Sequence, residues 1–170
     1  PSPDRDTGLA QRLLATGAAR PANVVHSAVL ACLGDGPAHE RTVRALTSSR
    51  DEEVVIAQAY LRQRSLAGVG EVRAVTAGIA RMTAAGAQVR ALETLGRQRL
   101  SDPQSLQEIA SLFPQARSLE VQRAIAGILI RADTQQLARA DLARTLRQHR
   151  LKSPDGSDVI DMLIRMLQSA

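Results

Sequence analysis

One short apolar phrase recurs along this chain, and its spacing restricts the possible folds more than any other feature. Val54-Val-Ile-Ala57-Gln-Ala59-Tyr-Leu61 and Val121-Gln-Arg-Ala124-Ile-Ala126-Gly-Ile128 carry apolar or small residues at equivalent steps. Val89-Arg-Ala-Leu92-Glu-Thr-Leu95-Gly96 is a looser copy between them, and Val25-His-Ser-Ala28-Val-Leu30-Ala31 precedes all three. The valine anchors are spaced 29, 35 and 32 residues apart, roughly the length of a two-helix unit that buries its faces by stacking on its neighbours. Stacked helix pairs are therefore the expected architecture.

Composition supports helices over strands. Ala, Leu and Arg dominate, Trp is absent, and Tyr60 and Phe113 are the only aromatic residues. These abundant residues are good helix formers, and the short Thr42-Val43 and Val75-Thr76 runs fall inside helical periodicity. The 170 residues suit one domain or one short repeat array. A net charge of +5 points toward anionic partners, but only Lys152 among the 22 basic side chains is a lysine. Arginine replacing lysine throughout is what a GC-rich genome writes everywhere, so charge alone names no partner. No run of apolar residues is long enough for a membrane span.

Turn and cap signals divide the chain into ten expected helices in five pairs. Residues 1–6 read as a linker, and 7–170 as a single repeat domain. The first pair covers 9–16 and 21–33 and is closed by Gly34-Asp-Gly-Pro37. The second covers 39–47 and 51–64, with Ser49-Arg-Asp-Glu52 spaced as a capping box. The third covers 70–83 and 87–100, and Gly68-Val-Gly70-Glu71 reads as an inter-unit turn. The fourth opens at Ser101-Asp-Pro103, where proline in the first turn costs no hydrogen bond, runs to 112, and resumes over 118–132. The fifth covers 135–150 and, after a turn at 153–157, 158–168. In that last helix Val159, Ile160, Leu163, Ile164 and Leu167 share one face. The small residues Ala57, Ala59, Ala124, Ala126 and Gly127 are expected to let helices approach closely.

The repeated Val-x-x-Ala-x-Ala-x-Leu phrase, preceded by an acidic or polar cap, resembles the HEAT repeat. Its nearest form is the short variety of bacterial HEAT-like and bilin-lyase-like proteins. Asp51-Glu-Glu-Val54 and Ser118-Leu-Glu-Val121 match the opening of a HEAT unit; Val89-Arg90 and Leu95-Gly96 match its middle and end. The match covers units two to four, and units one and five only by helix spacing. The tetratricopeptide Trp, Tyr, Phe and Pro marks and the ankyrin Thr-Pro-Leu-His motif are missing. The resemblance implies an all-α solenoid of about five antiparallel helix pairs, a HEAT/armadillo-like superhelix whose second helices line a concave surface. It also implies a module that binds something, usually protein, within a larger bacterial protein. A chain beginning Pro1-Ser-Pro without Met agrees with a piece of something longer, and the cytoplasm is the expected compartment.

The candidate site is a set of arginines at the ends of the second helices. Arg64, Arg99 and Arg131 each stand ten residues after a valine anchor, and Arg62 and Arg97 eight after. With Arg123 they are expected to present guanidinium groups to an acidic protein segment, since a guanidinium forks onto carboxylate or phosphate. The competing account is that cations at helix C-termini complement the helix dipole. Nucleic acid ranks behind protein as a partner, because single-strand readers and base-flipping enzymes need aromatic platforms that Tyr60 and Phe113 alone do not supply. HEAT-like enzymes, the bilin lyases and DNA glycosylases, are the alternative class, with no residue match to carry over.

No catalytic residue, cofactor or metal site is expected. His26, His39 and His149 lie in different units without ligand spacing. No glycine-rich phosphate loop, Gly-x-Ser-x-Gly elbow or paired-carboxylate motif occurs. Asp51, Glu52 and Glu53 read as helix-start acids, and Cys32, within an apolar run, as a small buried hydrophobe. Arg147, Arg150 and Lys152 face Asp155 and Asp158 across a turn and are expected to pair locally.

Overall fold

The computed structural model describes residues 23–153 and 158–169. The expected linker at 1–6, the expected helix at 9–16 and the Pro-Asp-Gly turn at 154–157 lie outside them. Among the described residues the chain is all-α, with nine helices and no strand. It divides into two compact units, Pro1–Leu66 and Ala67–Ala170.

The first unit contains α1 (Val24–Cys32), α2 (Gly36–Ala45) and α3 (Asp51–Leu61), each packed on the other two. Polar caps start the first two. The Asn23 side chain accepts from the Val25 N–H at 2.9 Å, and Asp35 from the Ala38 N–H at 2.8 Å. Such caps satisfy amide groups that a helix start leaves without partners. Helix α1 stops at Gly34, whose φ of +96° lies in the left-handed region that glycine enters without steric cost. Gly36 and Pro37 form the first turn of α2, so that helix begins three residues earlier than its periodicity indicates.

The capping box expected at Ser49–Glu52 does not form. Arg50 is the N-cap of α3, with no side-chain cap, and the Ser48 hydroxyl accepts its N–H at 3.1 Å. The three acids of the first turn remain, and Arg50 lies 3.9 Å from Glu52 and 3.8 Å from Glu53. They still serve the positive end of the helix dipole.

The second unit contains α4 (Gly68–Arg81), α5 (Ala85–Leu95), α6 (Pro103–Leu112), α7 (Leu119–Arg131), α8 (Arg139–His149) and α9 (Val159–Gln168). Helix α4 packs on α5 and α6, α5 on α7, α6 on α7, α7 on α9, and α8 on α9. Gly68-Val-Gly70 is the first turn of α4 and not a turn between units, because Glu71 accepts the Ala67 N–H at 3.1 Å and draws those residues into the helix. Asp102 caps α6 ahead of Pro103, as the Ser-Asp-Pro start indicates. Asp158 and Asp161 form a capping box at the start of α9, which exchanges two hydrogen bonds between side chains and backbone.

The repeated phrase marks the buried side of the helices. Val54, Ala57 and Leu61 in α3, and Val121, Ile125, Ala126 and Ile128 in α7, are buried, as are Ala91, Leu92 and Leu95 in α5. The first copy is out of register. Val25 is 50% exposed, and the buried residues of α1 are Ser27, Leu30 and Ala31. Ala59 also faces solvent instead of another helix. Buried threonines meet their hydroxyl requirement locally: Thr42 and Thr76 donate to the carbonyls of Ala38 and Val72, both at 2.8 Å. In α9, Ile160, Leu163, Ile164 and Leu167 form the buried face that their spacing indicates.

Candidate functional site

Helices α5 and α7 end beside each other, and three of the expected arginines gather there. The backbone N–H of Asp133, just past α7, donates to the Leu100 carbonyl, just past α5, at 2.9 Å. That bond ties the loop carrying Arg97 and Arg99 to the loop that follows Arg131. Close helix contact brings Arg131 in. Gly96 has ordinary α-region torsions, but a Cβ there would lie 2.9 Å from Ile128 Cγ1 and 3.1 Å from Arg131 Nη2. The α5 terminus therefore abuts α7 where only a hydrogen fits, and the Arg131 guanidinium passes over it. Arg131 Nε donates to the Gly127 carbonyl at 3.1 Å, which fixes the plane of the group.

All three side chains are exposed, and none pairs with a carboxylate among the described residues. They stand at the C-terminal, partly negative ends of two helices, which favours positive charge there. Arg73 and Arg144 of this unit, by contrast, pair with carboxylates. Arg73 forks onto Asp102, with Nε and Nη2 each donating to a carboxylate oxygen at 2.9 Å. Asp102 also accepts from the Ser105 N–H and hydroxyl. The Arg73 hydrogen bonds, then those from Ser105, hold the Asp102 carboxyl well below the usual carboxylate range.

Arg123 belongs to a different cluster. It is half-buried, about 12 Å along α7 from Arg131 by helical rise. Its Nη2 donates to the Ser153 hydroxyl at 3.0 Å, and its Nε lies 3.6 Å from Asp158 Oδ2. Arg150 adds a contact to Asp158 at 3.9 Å and a direct hydrogen bond to Asp161. The local pairing expected of the basic residues near the last turn is thus present for Arg150 and Asp158; Asp155 lies outside the described residues. This ionic cluster joins the start of α9 to α7 and the end of α8.

The remaining two expected arginines belong to the first unit. Arg62 is exposed at the end of α3, and Arg64 Nη2 donates to the Cys32 carbonyl at 3.1 Å, which satisfies a terminal carbonyl of α1. Cys32 is exposed, contrary to the buried hydrophobe its apolar neighbours suggest. The reason is the register of α1: Cys32 shares the outward side with Val25 and Val29, and Leu30 and Ala31 turn inward.

Sequence reasoning missed Gln122. It is fully buried; its amide nitrogen donates to the His149 carbonyl at 2.9 Å, and its amide oxygen accepts the Leu151 N–H at 2.8 Å. A polar residue beside an anchor valine is the one sequence signal that marks it. Both aromatic residues are buried: Phe113 is 0% exposed, and Tyr60 is 6% exposed with its hydroxyl 2.5 Å from His39 Nδ1. Neither offers a ring face on which a base would stack. Two clefts open in the second unit. One of about 400 Å³ is lined by Met82, Thr83, Gln88, Gln115 and Arg117 among others. One of about 280 Å³ lies between α6 and α8, beside Ser111, Pro114, Asp141 and Thr145. Among the described residues no group of three His, Cys, Asp or Glu could hold a metal ion. No described helix is long and apolar enough to cross a membrane.

Comparison with known proteins adds no relative: no family model matches the chain, and neither a curated protein nor a solved structure resembles it significantly.

Proposed function

We propose that the chain is a HEAT-like α-solenoid of helix pairs that acts as a non-catalytic scaffold and binds an acidic segment of a partner protein. In this reading the second helices of each unit supply its binding surface. Arg97, Arg99 and Arg131 form the contact in the second unit, and Arg62 and Arg64 extend the same chemistry in the first. Arg123 holds the ionic cluster at the start of α9 and supports the array from within.

The observation that carries this reading is the group of three exposed guanidinium groups without a carboxylate partner among the described residues, brought together by the Leu100–Asp133 bond and the Gly96 contact. Carboxylates on an extended peptide satisfy such a group better than isolated ions, because once one fork is engaged the linked carboxylates meet the others at high effective concentration. Burial of both aromatic rings favours protein over single-stranded nucleic acid.

The test is titration of a labelled poly-glutamate peptide by fluorescence anisotropy. Arg97→Glu, Arg99→Glu and Arg131→Glu together are expected to weaken binding by at least about tenfold, a loss of 1.4 kcal/mol or more. Equal binding by the triple variant removes the cluster from the site. Duplex DNA binding more tightly than the peptide, with a steep salt dependence, would replace the protein partner with a phosphate backbone.

A further inference from the structure

The outward side of the first unit carries a different pattern. Along α3 the exposed residues are Asp51, Glu52, Val55 and Ala59, with exposed Arg62 at the C-cap; Val55 is 45% exposed, and Glu52, Val55, Ala59 and Arg62 fall in one row. Their three–four–three spacing is that of a heptad seam, the arrangement by which one helix lays a narrow stripe against another. Helix α1, packed beside α3, adds Val25, Val29 and Cys32 on its own outward side. Val25 and Val29 are 50% and 43% exposed, so each of the two helices shows aliphatic side chains on its own outward side.

The charges at the ends of the stripe say what fits it. An acid stands at the N-terminal end of α3 and a base at the C-terminal end, and the four seam residues are symmetric about Ala57. An antiparallel copy of the same helix, related by a two-fold axis at Ala57, places Glu52 opposite Arg62 of the second copy. The same operation places Val55 opposite Ala59 of the second copy, a larger side chain against a smaller one. A parallel arrangement would set Glu52 against Glu52 and Arg62 against Arg62. The pattern is self-complementary in one orientation only, as an isologous two-fold interface requires. Opposed helix dipoles favour that same orientation.

We infer that the chain forms a two-fold homodimer through α3. The seam shares Arg62 with the acidic-segment contact proposed for the first unit but uses none of Arg97, Arg99 and Arg131, so the dimer and the second-unit site stand or fall separately.

Sedimentation velocity on the whole chain over a concentration series tests it, with Glu52→Arg, Arg62→Glu and the double exchange. The wild type is expected to show a concentration-dependent dimer. Each single variant opposes like charges twice across the two-fold and is expected to raise the dimer dissociation constant by about tenfold or more. The double exchange restores opposite charges at both ends and is expected to return the dimer. Both substituted side chains are exposed, and far-UV circular dichroism checks that helix content is unchanged. If Glu52→Arg lowers helix content, Val55→Asp is the replacement variant and is likewise expected to abolish the dimer. A wild type that stays monomeric overturns the inference, as does a dimer indifferent to the single variants or a double exchange that fails to recover it.

Discussion

Helix α3 in the first unit and helices α5 and α7 in the second bury the same kind of side and show solvent different ones. Val54, Ala57 and Leu61 pack inward in α3 as Val121, Ile125 and Ile128 do in α7. Outward, α3 shows Glu52, Val55, Ala59 and Arg62, whereas α5 shows Gly86 and Glu93 and continues into Arg97. Helix α7 shows Glu120 and ends in Arg131. The repeat therefore describes how helices stack and leaves the outward residues free to differ. One unit shows Val55 and Ala59 between a charge at each end; the other gathers three cations with no carboxylate partner among the described residues at its helix ends. Two copies of one phrase thus bury alike and differ in what they show outward.

The largest expected effects test whether the buried sides are equivalent. Leu46→Ala in the first unit and Ile125→Ala in the second each remove a side chain that is 0% exposed. Each is expected to lower unfolding stability by about 2–5 kcal/mol, the transfer cost of the lost atoms plus the cavity left behind. Urea titration followed by circular dichroism measures it. A loss below roughly 1 kcal/mol at either site would mean that its surroundings collapse to fill the space, and that the two cores are not alike.

Next in size is a pair of substitutions on one helix. Gly96→Ala drives a methyl into Ile128 and the Arg131 guanidinium. It is expected to cost about 1–3 kcal/mol, as overpacking of a close helix contact does, and to weaken the acidic-peptide complex by moving Arg131. Gly86→Ala, ten positions earlier on α5, meets nothing within 4 Å. It is expected to gain about 0.4–1 kcal/mol through the lower entropy of the unfolded chain, with peptide binding unchanged. Opposite signs for the two alanines would tie the arginine cluster to the contact at Gly96. Equal effects would separate them.

How much of this was readable beforehand follows from what periodicity records. The positions of α3 to α9, and the buried side of α9, follow from apolar spacing because burial acts on every turn. The Asp-Pro start of α6 is legible because cap and proline act within one turn. Register is less so. Val25 looks like Val54 in the string, yet Asn23 starts α1 only two residues before it, and Ser27 takes the inward place. Ser49 has capping-box spacing, but Arg50 occupies the cap, a one-residue difference that side-chain type does not reveal. Equal offsets from an anchor single out Arg99 and Arg131, yet they do not mark equivalent helix ends: Arg131 is the last residue of α7, and Arg99 lies four residues past the end of α5. Separation of Arg123 from them was not legible. It depends on Asp158 and Ser153, contacts made across some thirty residues of chain.

The smallest expected effect at neutral pH compares two aspartates in the same role. Asp35 caps α2 ahead of Gly36-Pro37, and Asp102 caps α6 ahead of Pro103. Only Asp102 also carries an arginine, the forked Arg73. Asparagine caps a helix nearly as well as aspartate, so Asp102→Asn keeps the cap and loses the charge. The Asp102 carboxyl is held below its unfolded value, so the folded state binds its proton less readily than the unfolded state. The stability this confers is fully present above about pH 4, the ordinary carboxylate range, and is lost as pH falls from there toward the depressed folded value. The wild type is therefore expected to lose stability steeply below that range, and Asp102→Asn to lose it less steeply. Urea midpoints measured across the acid range for both proteins decide it. Parallel curves would mean that Arg73 contributes no pH-dependent stability at this helix start.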